Sequence, residues 1–161
     1  MSGEAIGRTR IDSMRECDLD EVLSIEAASR QTSWSGQSFV AEMKNPVSFC
    51  FVLKQKSEPR DQTLGFICFR VIGEESELVN LGIRPLYRHK GLGRELMRFY
   101  IGFCLERKVK TSSLETGASN EPAIRLYRSF GYCIEGVRPR FYRGKEDAFL
   151  MVRKASLPGE S

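Results

Sequence analysis

Leu78-Val79-Asn80-Leu81-Gly82-Ile83, then Arg84-Pro85-Leu86-Tyr87, then Arg88-His89-Lys90-Gly91-Leu92-Gly93 and the run on to Leu105 form the stretch whose reading decides the fold. The first six residues have the apolar character of a strand, and the residues after Gly93 repeat apolar side chains at helical spacing. Between them lies a turn rich in glycine and cations that opens directly into the helix. Such a turn suits an anion. Glycines let several backbone N–H groups converge, and the helix dipole and the Arg and Lys charges favour negative charge at that end. Two familiar phosphate motifs do not fit. A P-loop needs Lys-Ser/Thr after its last glycine, where this chain has Arg94-Glu95. A dinucleotide fingerprint needs a third Gly or Ala where Leu96 stands.

Bulk properties narrow the classes. The chain has 161 residues, 41% of them hydrophobic and 29% charged, which suits an ordinary globular protein with one substantial core. Its formal charge of +4 is compatible with an anionic ligand but too small and dispersed to argue for direct nucleic-acid binding. Five cysteines, Cys17, Cys50, Cys68, Cys104 and Cys133, are irregularly spaced, and there is one His. That pattern argues against a zinc site or a disulfide framework and for free thiols in a reducing compartment. Cys68 and Cys104 lie in apolar runs and read as core. The N-terminus has no apolar leader, and no apolar run reaches membrane-spanning length, so a cytoplasmic protein without membrane contact is expected.

Outward from the central stretch, the elements follow one another without repeats or linkers. A first strand is expected over Arg8–Met14. A helix follows with Asp18 as N-cap and Glu21 three residues on, ending near Ser29. The loop from Arg30 to Gly36 holds the only Trp, Trp34, and a short helix from Gln37 to Lys44 stops at Asn45-Pro46. Val47–Lys54 and Leu64–Ile72 read as strands of a hairpin. After the central helix, with its apolar stripe of Leu92, Leu96, Phe99 and Phe103, come a strand at Thr111–Thr116 and a helix started by Asn120-Glu121-Pro122 and ended at Phe130-Gly131. Final strands are expected at Tyr132–Pro139 and Asp147–Val152, joined by Arg140 to Glu146. The expected domain spans residues 8–153, with 1–7 and 154–161 as flexible tails.

Arg-x-x-Gly-x-Gly after a strand carrying Gly82 resembles the pyrophosphate-binding motif of the GNAT N-acetyltransferases. The likeness extends across Trp34-Ser35, Leu114-Glu115, Ala118-Ser119-Asn120, Ala123-Ile124, Leu126-Tyr127, Phe130-Gly131-Tyr132, Phe141-Tyr142 and Gly144-Lys145-Glu146-Asp147-Ala148. Within that superfamily the chain most resembles the RimI-type protein N-α-acetyltransferases. The resemblance implies a mixed α/β fold: a central, mostly antiparallel mixed sheet of about seven strands with four helices. It also implies acetyl-CoA as co-substrate, and no metal.

Carried over residue by residue, the resemblance assigns the pantetheine arm to backbone groups of Leu81, Gly82 and Ile83, with one of their N–H groups polarising the thioester carbonyl. The pyrophosphate falls to Arg88, His89, Lys90, Gly91, Leu92, Gly93 and Arg94. His89 is a backbone position in this motif, so no catalytic role is expected for it. Asn120 would bond the cofactor arm, though capping a helix explains it locally as well. Glu115 would be the general base and Tyr127 the general acid that protonates the departing thiolate, with ordinary strand-end and packing roles as their structural alternatives. Trp34 and Tyr142 would flank the acceptor, with Trp34 equally suited to anchor the core.

Acetylating an amine requires the neutral form. An α-amine titrates at roughly 8 and a Lys amine at roughly 10.4, so their free-base fractions at neutral pH differ by a factor of about a few hundred. The acceptor implied is a protein or peptide N-terminus, a ribosomal protein in the best-known members. Here Tyr142 and Glu146 are separated only by Arg143-Gly144-Lys145, a shorter segment than in the bacterial members, which widens the acceptor range to be considered. Two further readings stay open: a GNAT enzyme acting on a small amine or a Lys side chain, and a non-catalytic acyl-CoA-binding module.

Overall fold

The computed structural model of the chain describes residues 5–29, 33–142 and 146–155, with only the backbone of 140–142. Seven strands form one sheet in the order β1-β2-β3-β4-β5-β7-β6. They are β1 Thr9–Ser13, β2 Ser48–Gln55, β3 Gln62–Ile72, β4 Glu75–Ile83, β5 Thr111–Gly117, β6 Cys133–Tyr142 and β7 Glu146–Lys154. Among the described residues the α-helices are α1 Leu19–Ala27, α2 Gly36–Lys44, α3 Leu92–Glu106 and α4 Glu121–Ser129. β1 with β2, β5 with β7 and β6 with β7 run antiparallel, and β4 with β5 runs parallel. The expected architecture is therefore the observed one: a mixed α/β fold with a largely antiparallel sheet and four helices.

The chain forms two compact units. The first takes the residues up to Phe69 together with Asn80–Leu96, the second Arg70–Val79 together with the residues from Met97 on. In the first, Val22 and Ile25 of α1, Phe39 of α2, and Val52, Leu53, Leu64, Phe66, Ile67, Cys68 and Phe69 of the strands are buried. Aromatic edges order that core: Trp34 meets Phe39 at 5.1 Å between ring centres, and Phe39 meets Phe66 at 5.3 Å. In the second unit Met97, Tyr100, Leu114, Tyr132, Ala148 and Met151 are buried.

Several local expectations are corrected. Asp18 precedes α1 but does not cap it with its side chain. Its carboxylate accepts from the Arg15 N–H at 2.8 Å and pairs with Lys54 at 2.7 Å, so a buried ion pair took the oxygens a cap would use. The cap of α2 is Ser35, which exchanges bonds with Ser38, and the helix accordingly begins at Gly36 rather than Gln37. β4 starts at Glu75, three residues before the apolar run, because Glu75 to Leu78 pair in register with Thr111 to Leu114. β6 continues through Pro139 to Tyr142, with register shifts after Ile134 and after Arg138. Proline is tolerated there because β6 stands at the edge of the sheet, beside β7 alone. Residues 143–145 lie outside the described residues, as do 1–4, 30–32 and 156–161.

Candidate active site

In the first unit the cation-rich turn is held from below. Arg84 donates its N–H to the Leu64 carbonyl at 2.7 Å and Nε to the Thr63 carbonyl at 2.9 Å, and its Nη2 meets Glu21 at 3.0 Å. A short 3₁₀ turn over Pro85–Tyr87 then buries Tyr87, whose hydroxyl donates to Gln62 and accepts from Gln55, each at 3.2 Å. With its lead-in fixed, the chain reverses through two left-handed residues, His89 at φ 63° and Gly91 at φ 84°. Alternation of left-handed and ordinary residues turns successive N–H groups toward one side, the geometry of an anion nest. α3 begins at Leu92, so Gly93 lies inside its first turn, where backbone N–H groups lack helical acceptors. A Cβ added at Gly91 would meet nothing within 4 Å, so the space over the turn is open. Arg88, His89 and Arg94 are exposed around it, and Lys90 is half-buried. These features fit a diphosphate. Arg88 also donates Nε to the Ile83 carbonyl at 3.3 Å, tying the turn to the end of β4.

Gly82 has a packing reason of its own. A Cβ there would stand 2.6 Å from the Phe66 ring and 3.1 Å from Ile25. Gly65 matches it from β3, since a Cβ at that position would reach the Gly82 carbonyl oxygen at 2.7 Å. Two glycines thus let neighbouring strands approach where Leu81, Gly82 and Ile83 present their backbone.

In the second unit Glu115 follows the last pair of the β4–β5 register, Leu78↔Leu114, while β5 stays paired with β7 through Glu115↔Leu150 to Gly117↔Ala148. Alternation buries Ser112, Leu114 and Thr116 and leaves Glu115 half-buried on the opposite face. Its Oε1 meets the Arg138 guanidinium at 3.2 Å, with the side chains 24% and 61% exposed. A pair so wet orients the carboxylate more than it stabilises the fold. The loop after β5 is fixed by Glu146, which accepts from the N–H and Oγ of Ser119 at 2.6 and 2.5 Å. Those bonds hold the Glu146 carboxyl below its usual range. Asn120 next caps α4, accepting from the Ala123 N–H at 3.4 Å. Tyr127 lies about two turns further along α4, 9% exposed, its ring edge-on to Tyr132 at 6.1 Å.

Tyr132 is itself set by a chain of buried hydroxyls. Ser76 donates to the Arg70 carbonyl at 2.8 Å, and Ser76–Tyr100, Tyr100–Ser112 and Ser112–Tyr132 each stand at 2.7 Å. One carbonyl orders them all. Ser76 spends its proton on Arg70, so Tyr100 donates to Ser76, Ser112 to Tyr100, and Tyr132 to Ser112. Burial pushes Tyr132 up to about 12 and raises Tyr100 as well.

Of the expected residues, Leu81–Ile83 and Arg88–Arg94 belong to the first unit, and Glu115, Asn120 and Tyr127 to the second. Trp34 is a core edge that remains partly accessible. Tyr142 ends β6, opposite Glu146, and its side chain is outside the described residues. Sequence reasoning missed Glu26, the Tyr100–Ser112 hydroxyls and the Arg138–Glu115 contact. Glu26 is buried on α1, accepting from the Trp34 N–H at 2.8 Å and from Asn80 at 3.1 Å. Its only sequence signal was an acid beside Ile25 in an apolar helix face.

Residues 11–132 match the family model described as the Acetyltransferase (GNAT) family. A [ribosomal protein bS18]-alanine N-acetyltransferase of Escherichia coli K12 is 32% identical over 150 residues, 91% of this chain and 98% of that protein. A Bacillus subtilis strain 168 relative, provisionally named for the same activity, is 32% identical over 146 residues, 89% of this chain and 94% of its own length. The crystal structure of the ribosomal-protein-S18-alanine N-acetyltransferase from Escherichia coli superposes with a TM-score of 0.80 at 31% identity, covering 96% of this chain and 98% of that one. The chain belongs to the acetyltransferase (GNAT) family and is an N-acetyltransferase of the RimI-like kind.

Proposed function

We propose that the protein transfers acetyl from acetyl-CoA to the N-terminal α-amine of a protein or peptide, with a ribosomal protein as the first acceptor to examine. The observation that carries the donor half is the turn with left-handed His89 and Gly91 ahead of α3, a pyrophosphate-shaped nest ringed by cations. The acceptor half rests on relatives named for alanine acetylation of bS18, matched over about nine-tenths of this chain.

Bound acetyl-CoA supplies the activated acyl group as a thioester. The N–H groups from His89 to Arg94 hold its diphosphate, and the Leu81–Ile83 backbone holds the arm and directs an N–H at the carbonyl oxygen. Asn120 caps α4 through Oδ1 and donates from Nδ2 to the arm. Glu115 takes the proton of the acceptor ammonium, directly or through one water, so that the neutral amine attacks. Tyr127 gives its phenolic proton to the leaving sulfur, and the second proton shed by the acetylated nitrogen restores the phenol, directly or through water. Trp34 and Tyr142 border the acceptor.

Mass spectrometry of peptides with varied first residues, incubated with protein and acetyl-CoA, tests the acceptor class. Blocked-N-terminus Lys peptides and small amines run alongside as competitors. Glu115→Gln and Tyr127→Phe are expected to lower kcat by about 10²–10⁴-fold, the usual worth of a general acid or base, while acetyl-CoA binding persists. Wild-type rates in both variants on a good peptide would overturn the acid–base assignment.

A further inference from the structure

Glu26 is 3% exposed at the end of α1, and its two carboxylate oxygens serve two distant parts of the first unit. Oε2 accepts from the backbone N–H of Trp34, the residue before the Ser35 cap of α2. Oε1 accepts from Nδ2 of Asn80, itself buried and immediately before Leu81-Gly82-Ile83 on β4. One donor is a backbone amide and the other the amide of a buried side chain, so the carboxylate works as a two-pronged spacer between them.

Val22 and Ile25 already bury α1 against the core, so the carboxylate is not needed to seat the helix; what its loss removes is the shared acceptor of the Trp34 N–H and Asn80 Nδ2. What an apolar side chain cannot do is set the separation and orientation of two backbone segments through directed bonds.

We propose that Glu26 is a positioning residue for the acceptor. It fixes the Trp34-Ser35 segment against the Asn80–Ile83 segment, and thereby the approach of the acceptor amine to the thioester. This rests on the reading above, in which Trp34 borders the acceptor and Leu81–Ile83 the donor. Leu81–Ile83 stay paired in the sheet beside β3 and keep their hold on acetyl-CoA when the Trp34 segment loosens, so the loss falls on the acceptor.

The test compares Glu26→Ala, Glu26→Asp and Glu26→Gln in the full chain, measuring kcat and both KM values with the best peptide found for the wild type. Ala removes both bonds, and Asp, one methylene shorter, cannot span both donors. Gln restores both. Its Oε1 accepts from Trp34, and its Nε2 donates to Oδ1 of Asn80 once that amide turns over. Ala and Asp are expected to raise the peptide KM about tenfold or more and leave the acetyl-CoA KM within about twofold, with Gln recovering most of the loss. Trp34 is the only tryptophan of the chain, so acrylamide quenching of its fluorescence reports the segment without activity. Quenching should rise in Ala and Asp and return in Gln. If Ala does not fold, the Asp and Gln pair decides. An unchanged peptide KM in a folded Asp variant, a parallel rise in both KM values, or a Gln variant as impaired as Asp overturns the proposal. A wild-type protein that acetylates no peptide overturns the underlying reading and the role of Glu26 with it, whereas wild-type turnover without the KM split overturns the role of Glu26 alone.

Discussion

At Gly82 a single hydrogen atom decides how closely β3, β4 and α1 can pack. The Cβ of an alanine there would stand 2.6 Å from the Phe66 ring, and Phe66 is fully buried against Phe39. Nothing can yield cheaply. Gly82→Ala is expected to destabilise the fold by about 1–3 kcal/mol, the usual cost of overpacking a core. In a chain of this size each kcal/mol lowers Tm by about 2–4 °C, so thermal unfolding checks it directly. An unchanged Tm would mean that Phe66 moves aside and that the glycine serves the backbone alone. The glycine was legible as part of a strand before a cation-rich turn. Its partners Phe66, Ile25 and Gly65 were not, since they come from two other elements.

The β5–α4 connection is the element on which the proposed acid–base pair depends, and one carboxylate pins it. Glu146, at the start of β7, holds both the N–H and the hydroxyl of Ser119, next to the α4 cap. These bonds depress its folded pKa below the ordinary value of 4.5. A depressed carboxylate contributes stability that is fully present above the ordinary value and is lost as pH falls through the folded one. The Ser119 amide signal, followed by NMR from neutral to acid pH, should therefore shift with a midpoint below 4.5. Glu146→Gln should abolish that inflection. A midpoint at or above the ordinary value would remove the tie. Helix ends in this chain were readable where the cap is local, as with Asn120 and Gly131. At Asp18 the position was right but the capping bond was not, because Lys54 on β2 draws its carboxylate into an ion pair. The end of β6 was placed too early because Pro139 stops a central strand but not an edge strand.

Across the whole molecule the five cysteines give the expectation of free thiols its own test. Cys17 and Cys133 are exposed, Cys50 is half-buried, and Cys68 and Cys104 are buried. The hydrogen bond with Cys50, followed by burial, pushes the Cys68 thiol up, and burial raises Cys104. Thiolate is the reactive form, so alkylation of the native protein should proceed quickly at Cys17 and Cys133 and slowly at Cys68 and Cys104. Intact mass against time, with a guanidinium-unfolded control labelling all five, checks this. Native labelling of Cys68 at the unfolded rate would contradict the packing of the first core.

Periodicity and turn chemistry act within a few residues. The order of strands and helices, the glycine turn and the helix that follows it could therefore all be read from the sequence. So could the candidates Glu115, Asn120 and Tyr127, through motifs spread along the chain. Only tertiary structure decided that Glu26 joins Trp34 to Asn80, that Arg138 meets Glu115, and that one carbonyl of Arg70 sets the direction of a hydroxyl chain ending at Tyr132. Each of these bonds links residues on different elements. Sequence separation carries no information about which buried polar groups will have to satisfy one another, and that need is settled only when water is excluded from around them.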